Sequence, residues 1–345
     1  METVIKQAVG IDCGSQELVV TLGELSITQG FTCKSSQCFA NNEGGFKKLQ
    51  KWVLDELMPD APILYVMEAT GVYHEKLAYA LVINGHRVSI VLPNKVNAFA
   101  KTCVSKKQDD LQASKVLAEF GCVKHLTEWT PPSPLFATLK ILTREKLQLK
   151  RELVLIQNQL HAEETRAIGS KATIKRMKAR CKLIEKQICD ISKEIEEVLA
   201  QDEAVKEKVD NICTIPGVGL QTAAIVIAET NGFNLIRNSR QLVSYAGLDV
   251  IKKESGISVR GRSHISKRGN IHLRQCLHFP AFTAVKYNKP LKNLHERIVE
   301  RQAIKMKGYV AVQRKLLMLI FSLWKKNEPY KCLEQPVEAA LIELD

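Results

Sequence analysis

Thr130-Pro131-Pro132-Ser133-Pro134 divides this chain into two stretches whose apolar residues recur with different periods. Proline lacks a backbone donor and pushes the residue before it into extended conformations, so neither a helix nor a central strand continues through such a segment. Before the break, short apolar runs alternate with helical patterns. Residues 4–12 read as a strand ending in Asp12, and residues 17–22 as a second. Residues 46–57 have helical spacing, residues 63–67 form an apolar run closed by Glu68, and residues 74–83 read as another helix. A further run, 87–92, is closed by Pro93-Asn94. Alternation at this interval predicts an α/β sheet domain with helices on its faces, residues 1–133.

After the break the period changes. Leu135, Leu139, Leu142, Leu149, Leu153, Ile156 and Leu160 follow spacings of four and three, with Lys146 in the one place that is not apolar. Beyond Gly169-Ser170 a second series runs through Ile174, Met177, Cys181, Ile184, Ile188, Ile191, Ile195 and Val198. Two such series predict an antiparallel helical hairpin with a coiled-coil seam, residues 134–205, able to close on itself or on another protomer.

Residues 206–328 form a third region. Ile215-Pro216-Gly217-Val218-Gly219 precedes a helical run at 221–229. Gly217 and Gly219 permit a tight turn whose N–H groups face a phosphate, as in a helix-hairpin-helix element; the plainer alternative is a helix start. Further helices are expected at 235–248 and 309–324, with a peripheral tail at 329–345.

The chain has 345 residues, 45% of them hydrophobic, which suits globular domains and excludes disorder and fibres. It has no apolar run of membrane-spanning length, and its N-terminus lacks a signal-peptide pattern, so we expect a cytoplasmic protein without membrane partners. Ten cysteines are scattered without a Cys-x-x-Cys pair and read as reduced, buried hydrophobes. The net charge is +13, and its placement matters more than its size. Between Lys252 and Lys315 there are 16 Lys and Arg against three Glu, a surplus as large as that of the whole chain. A local field of this kind suits a polyphosphate partner.

Phosphodiester chemistry needs carboxylates to hold a divalent ion, and an attacking group. Asp12 and Glu68 close strands, and Asp109-Asp110 opens a helix. The carboxyl ends of strands in one sheet lie together, and hard oxygen ligands select Mg²⁺ or Mn²⁺. An aspartate at a strand end also serves as a turn residue, and Asp109 or Asp110 as a helix cap. In the stretch from Glu254 to Asn270, serines stand among glycines and cations. Either they bind phosphate as loop residues, or one of them attacks phosphorus while arginines and lysines neutralise the transition state. Composition does not choose among Ser255, Ser258, Ser263 and Ser266.

Several ordered segments together resemble a known family. They are Gly10-Ile11-Asp12, Glu68-Ala69-Thr70-Gly71-Val72-Tyr73, Leu117-Ala118-Glu119-Phe120, Ile215-Pro216-Gly217-Val218-Gly219, Tyr245-Ala246-Gly247-Leu248 and the stretch from Ser255 to Asn270. The family is that of insertion-sequence transposases with a DEDD-type RuvC-like domain, which includes Piv-type DNA invertases and bridge-RNA-guided recombinases. The resemblance implies a RuvC/RNase H-like α/β domain followed by a coiled-coil hairpin and a mostly helical C-terminal transposase domain. It implies that Asp12, Glu68 and Asp110 hold metal and that Ser255 attacks DNA to form a phosphoserine link. Arg260, Arg262, Lys267, Arg268 and Arg274 would contact nucleic acid.

The resemblance also implies donor and target DNA, a structured guide RNA, and a homo-oligomer, dimer or tetramer, in which the acids of one protomer meet the serine of another. The setting would be the bacterial cytoplasm, at the nucleoid. The chain departs from the family at one place: the pattern Asp-x-x-Asp before Leu117-Ala118 puts its first acid on Asp110 and its second on Ala113. Three carboxylates then suffice, or Asp109 takes over, or the site is weakened. Two rivals follow, a RuvC-like hydrolytic nuclease and an inactive nucleic-acid-binding relic. A sugar-kinase-like reading of Gly10-Ile11-Asp12-Cys13-Gly14 requires a second phosphate loop and an adenosine site that the sequence lacks.

Overall fold

The computed structural model describes residues 3–28, 30–58, 61–69, 71–102, 109–234, 236–251, 254–255 and 259–260 (backbone), 261, and 264–331. It divides into two compact units, 1–131 and 132–345.

The first unit is built on strands β1 (Val4–Cys13), β2 (Glu17–Ser26) and β3 (Gly30–Ala40), helix α1 (Glu43–Glu56) and strand β4 (Ile63–Glu68). Helix α2 (Glu75–Ile83), strand β5 (Val88–Val91), and helices α3 (Pro93–Ala100) and α4 (Asp110–Val123) complete it. The sheet order is β3-β2-β1-β4-β5; β2 runs antiparallel to β1 and β3, while β4 and β5 run parallel to β1. This mixed α/β arrangement agrees with the expected architecture and extends it. Strand β3 and helix α3 were not foreseen. Most of β3 is exposed and polar, as an edge strand is, so it carries little apolar alternation.

Side-chain parity along the strands sorts the two faces. Val9, Ile11, Tyr65 and Met67 pack with Phe46, Leu49, Leu77 and Leu81 of α1 and α2. The alternate residues turn to the other face, where Leu64 and Val66 meet Val116, Leu117 and Phe120 of α4. Helix α4 comes very close to β1, and small residues make this possible. A Cβ on Gly10 would lie 2.1 Å from the Ser114 carbonyl oxygen and 2.2 Å from the Ala118 nitrogen. Farther along, a Cβ on Gly121 would meet Val66 and Ala8. Thr21 is buried between Ser36 and Ser114, 2.8 Å from each hydroxyl.

The second unit opens with α5 (Pro134–Thr165), capped by the Ser133 hydroxyl, and α6 (Lys171–Ala200), capped by that of Ser170. The two pack as an antiparallel hairpin. Lys178 pairs with Glu164 near the turn at 2.8 Å, while Ile195 and Val198 join Leu139 and Leu142 at the other end. Leu149, Leu153 and Ile156 pack with Met177, Cys181, Ile184 and Ile188 between these points. Lys146, the polar member of the series, is buried, and burial followed by the charge of Lys150 lowers its pKa.

Helices α7 (Glu203–Cys213), α8 (Leu220–Glu229) and α9 (Ser239–Tyr245) follow. The last is shorter than expected from 235–248: Asn238 caps its start, and Gly247, at φ +67°, turns the chain away after it. Four two-residue strands come next: β6 (Val250–Ile251), β7 (Glu254–Ser255), β8 (Val259–Arg260) and β9 (His264–Ile265). Helices α10 (Ile271–Cys276), α11 (His278–Tyr287), α12 (Lys289–Gln302) and α13 (Lys305–Lys326) complete the bundle. Its core gathers Phe136, Ile212, Val226, Leu242, Leu316 and Ile320 among others. Among the described residues, no helix is long and apolar enough to cross a membrane, and eight cysteines are free.

Candidate active site

The carboxylates of the first unit are brought together by strand register. Ile11 lies opposite Met67 in the parallel pair β1–β4, so the next residue on each strand, Asp12 (one before the last of β1) and Glu68 (the last of β4), lies at the same edge of the sheet. By parity both belong to the face covered by α4. That helix runs antiparallel to β1, since Ser114 and Ala118 lie at Gly10 and Gly121 lies at Ala8. Its first residue, Asp110, is therefore carried towards Asp12.

Electrostatics report the same proximity. Burial, then the charge of Asp110, raises the Asp12 carboxyl above its ordinary value, against a lowering hydrogen bond from the Cys13 N–H. Burial, then the charge of Asp12, raises Glu68. Mutual repulsion between partly buried acids is what a divalent cation relieves, and hard carboxylate oxygens fit Mg²⁺ or Mn²⁺. Among the described residues, no three Asp, Glu, His or Cys side chains stand close enough together to enclose an ion.

Asp109 has a different partner. Its Oδ1 accepts from the Gln112 N–H at 2.7 Å, making it the N-cap of α4. Ala113, where the family carries its last acid, lies one residue before Ser114 on this helix. Sequence reasoning missed two neighbours. Asn41 Nδ2 donates to the Gly14 carbonyl at 2.8 Å and to the Tyr73 carbonyl at 3.0 Å, tying the loop after Asp12 to the loop after Glu68. Glu17 shares a side-chain hydrogen bond with Cys38; burial, then the charges of Glu17 and Asp110, raise that thiol. An asparagine in a turn and an acid at a strand start are too common in sequences to have marked either.

In the second unit, Ser255 lies on β7, paired with Val259 of β8, as Glu254 is with Arg260. The pair β6–β9, which flanks this segment in sequence, joins Val250 with Ile265 and Ile251 with His264. Below it two of the recognised motifs clasp each other. Asn270 N–H donates to the Tyr245 carbonyl at 2.8 Å and Lys267 N–H to the Gly247 carbonyl at 3.1 Å. A Cβ on Gly269 would lie 2.4 Å from the Tyr245 carbonyl oxygen, so only glycine allows the approach. Arg274 Nη1 donates to the carbonyls of Ala246, Gly269 and Asn270. Arg274, expected to contact nucleic acid, thus ties three scaffold carbonyls together through one guanidinium nitrogen.

Glu229 is the other buried anchor. It receives Arg144 through two bonds of 2.7 and 2.9 Å and Asn270 through one of 2.7 Å. Burial raises its pKa, but these bonds and the charges of Arg144 and Lys140 outweigh it, and the net direction is down.

Gly217, at φ +96°, faces α11 instead of solvent, since a Cβ there would lie 2.7 Å from the Pro280 carbonyl oxygen. Its conformation serves helix packing. Gly219, the N-cap of α8, has open space around it. Lys267 and Arg268 are exposed. The side chains of Ser255 and Arg260, and all of Ser258, Arg262 and Ser263, lie outside the described residues.

In this chain a mixed sheet whose neighbouring strands carry acids at one end is followed by a helical unit rich in cations. Family comparison makes this specific. Residues 9–163 match the profile of DEDD-type IS110 transposases, and residues 209–296 match that of the transposase IS116/IS110/IS902 family. The chain belongs to the DEDD-type IS110 transposase family, which includes the Piv-type invertases, and is a DNA recombinase or transposase.

Among its relatives, the pilin gene-inverting protein of Moraxella bovis is 26% identical over 294 residues, 85% of this chain and 89% of that protein. The transposase for insertion sequence element IS1111A of Coxiella burnetii is 31% identical over 141 residues, 40% of this chain and 38% of that one. Of solved structures, Thermus thermophilus RuvC is 13% identical and covers 36% of this chain and 99% of its own, with a TM-score of 0.27.

Proposed function

We propose that this protein cuts and rejoins DNA at insertion-sequence ends, with Asp12, Glu68 and Asp110 holding Mg²⁺ or Mn²⁺ and Ser255 as the nucleophile. The observation that carries this reading is the register that sets Asp12 and Glu68 beside each other near the ends of β1 and β4, two acids that α4 and its Asp110 adjoin. A bound divalent ion would polarise the scissile phosphate and stabilise the leaving oxygen. The Ser255 hydroxyl would lose its proton and bond to phosphorus as the P–O bond to the departing deoxyribose oxygen breaks, and that oxygen would take up a proton. Attack on the phosphoserine by a DNA hydroxyl would reverse the step and release the serine. The acids and the serine belong to different units of the chain, and assembly of an oligomer on DNA would bring them to one phosphate.

The missing acid at Ala113 leaves three carboxylates for this work. Asp109, engaged as a cap, is a poor substitute, and Glu17 is a better-placed reserve because it and Asp110 act on the same thiol. Lys267 and Arg268, exposed in the basic segment, together with Arg260 and Arg262, would bind nucleic-acid backbone. The turn at Gly219, open before α8, would add a helix N-terminus of the helix-hairpin-helix kind. A structured RNA specifying donor and target, and self-association of the chain, complete the proposal.

A denaturing gel of the protein incubated with labelled element-end DNA and Mg²⁺ tests the chemistry. A covalent protein–DNA adduct that disappears in Ser255→Ala is expected. Cleavage without adduct, undiminished in Ser255→Ala, would instead identify a hydrolytic nuclease. RNA recovered with the protein and sequenced tests the guide.

A further inference from the structure

The second unit contains a cavity of about 690 Å³ between α5, α8, α10, α11 and α13. Resting on the nucleic-acid reading above, we propose that this cavity receives one unstacked nucleotide of a single-stranded segment, its base inside and its phosphate at the rim. The size is in the range of sites that enclose a small planar ligand. Much of the wall is apolar, with Ile225, Ile271, Met306 and Val310 contributing.

The polar part of the lining is cationic. Arg144, Lys150, Arg151 and Arg274 contribute to it, and its one carboxylate, Glu229, is already bound by Arg144. Lys150 and Arg151 reach the side-chain oxygens of Gln221 and Gln275, at 3.2 and 2.7 Å, so cations and amides alternate along this rim. An apolar ligand alone would leave Lys150, Arg151 and Arg274 without an anion, and a free anion would leave the apolar wall uncovered. A nucleotide satisfies both.

Aromatic rings mark one side of the cavity. Phe279 lines it and is 77% exposed, an unusual cost for a phenyl ring in water. It is the outermost of a chain of rings: His278 lies 5.4 Å from Phe279 and 5.0 Å from Phe282, and Phe282 lies 4.0 Å from Tyr309. Rings beside a cationic groove are how single strands are held without reading sequence. Ile265 of β9, which pairs with Val250 of β6, also lines the cavity.

The test uses the full chain with oligonucleotides carrying 2-aminopurine, a base whose fluorescence reports unstacking. Single-stranded DNA, single-stranded RNA and fully paired duplex are titrated against the wild type, Phe279→Ala and the cavity-filling Met306→Trp. Expected are a fluorescence change with a single strand and about tenfold weaker single-strand binding in Phe279→Ala. Duplex binding should stay within about twofold, and Met306→Trp should abolish the fluorescence change. The DNA and RNA arms show which strand supplies the nucleotide. Equal losses for single strand and duplex, or no loss in either variant, overturn the cavity's role while leaving nucleic-acid binding intact. A wild type that binds none of the three overturns the proposed function itself.

Discussion

The Cα of Gly10 sits so close to Ala118 that a methyl group on the glycine would lie 2.2 Å from the alanine's backbone nitrogen. Strand β1 and helix α4 thus meet backbone to backbone, two residues before Asp12 and eight after Asp110. Gly10→Ala cannot be relieved by a side-chain rotation, so the helix must move. We expect a loss of about 2–3 kcal/mol in chemical denaturation and a loss of strand cleavage larger than the stability change explains. Normal cleavage at a temperature where the variant is folded would contradict this.

Asp12 and Glu68 are raised by burial and by neighbouring charge, so the folded, metal-free protein binds protons more tightly there than the unfolded chain does. The sign follows: these groups destabilise the fold when ionised, and that penalty fades as pH falls from neutrality through their raised values towards the ordinary carboxylate range. Asp12→Asn should therefore raise the Tm of the metal-free protein at pH 7 and reduce its gain on adding Mg²⁺. Differential scanning fluorimetry with and without Mg²⁺ or EDTA reads both effects, and a wild type indifferent to Mg²⁺ would refute the assignment.

The Glu229 side chain is 1% exposed and that of Arg144 46% exposed, so the two ends of this pair are not equivalent. Arg144→Met strands an anion in the core and should cost about 3 kcal/mol. Glu229→Gln leaves an arginine that can turn to water and should cost about 1 kcal/mol. Because the Glu229 pKa is depressed in the fold, its contribution is present above the ordinary glutamate value and is lost as pH falls through the folded one. Urea titrations at pH 7 and pH 4 should show the gap between the two variants narrowing at the lower pH.

Gly217 and Gly219 look alike in the sequence and differ in the structure. Gly217→Ala meets both a left-handed φ and the Pro280 carbonyl, and should lose about 2–3 kcal/mol. Gly219→Ala meets nothing and should change stability by less than about 0.5 kcal/mol. Denaturation curves of both variants decide this, and duplex-binding titrations of Gly219→Ala show whether the open turn touches DNA.

Much of the first unit was readable because buried strands in a sheet covered on both faces are near-continuous apolar runs: Val9, Ile11, Val66 and Met67 declare themselves. The edge strand β3 was not, since Lys34, Ser35 and Gln37 carry no pattern that water-exposed turns lack. Asp12 and Glu68 could be named because each interrupts an apolar run. Their registration across two strands depends on pairing between residues more than 50 apart, which no local pattern encodes. Arg274 and Gly217 drew functional readings because charge and glycine content are visible in one dimension, whereas the carbonyls and the helix they meet are visible only in three.

The bond from the Gln112 N–H to Asp109 fixes the residue at which α4 begins, while packing of Ser114 and Ala118 on Gly10 fixes how the helix is turned. Were the cap to slip by one, the carboxyl of Asp110 would turn onto the helix's own amides and away from the sheet edge. The first member of the doubled aspartate thus sets where the helix starts and leaves the second as its first residue.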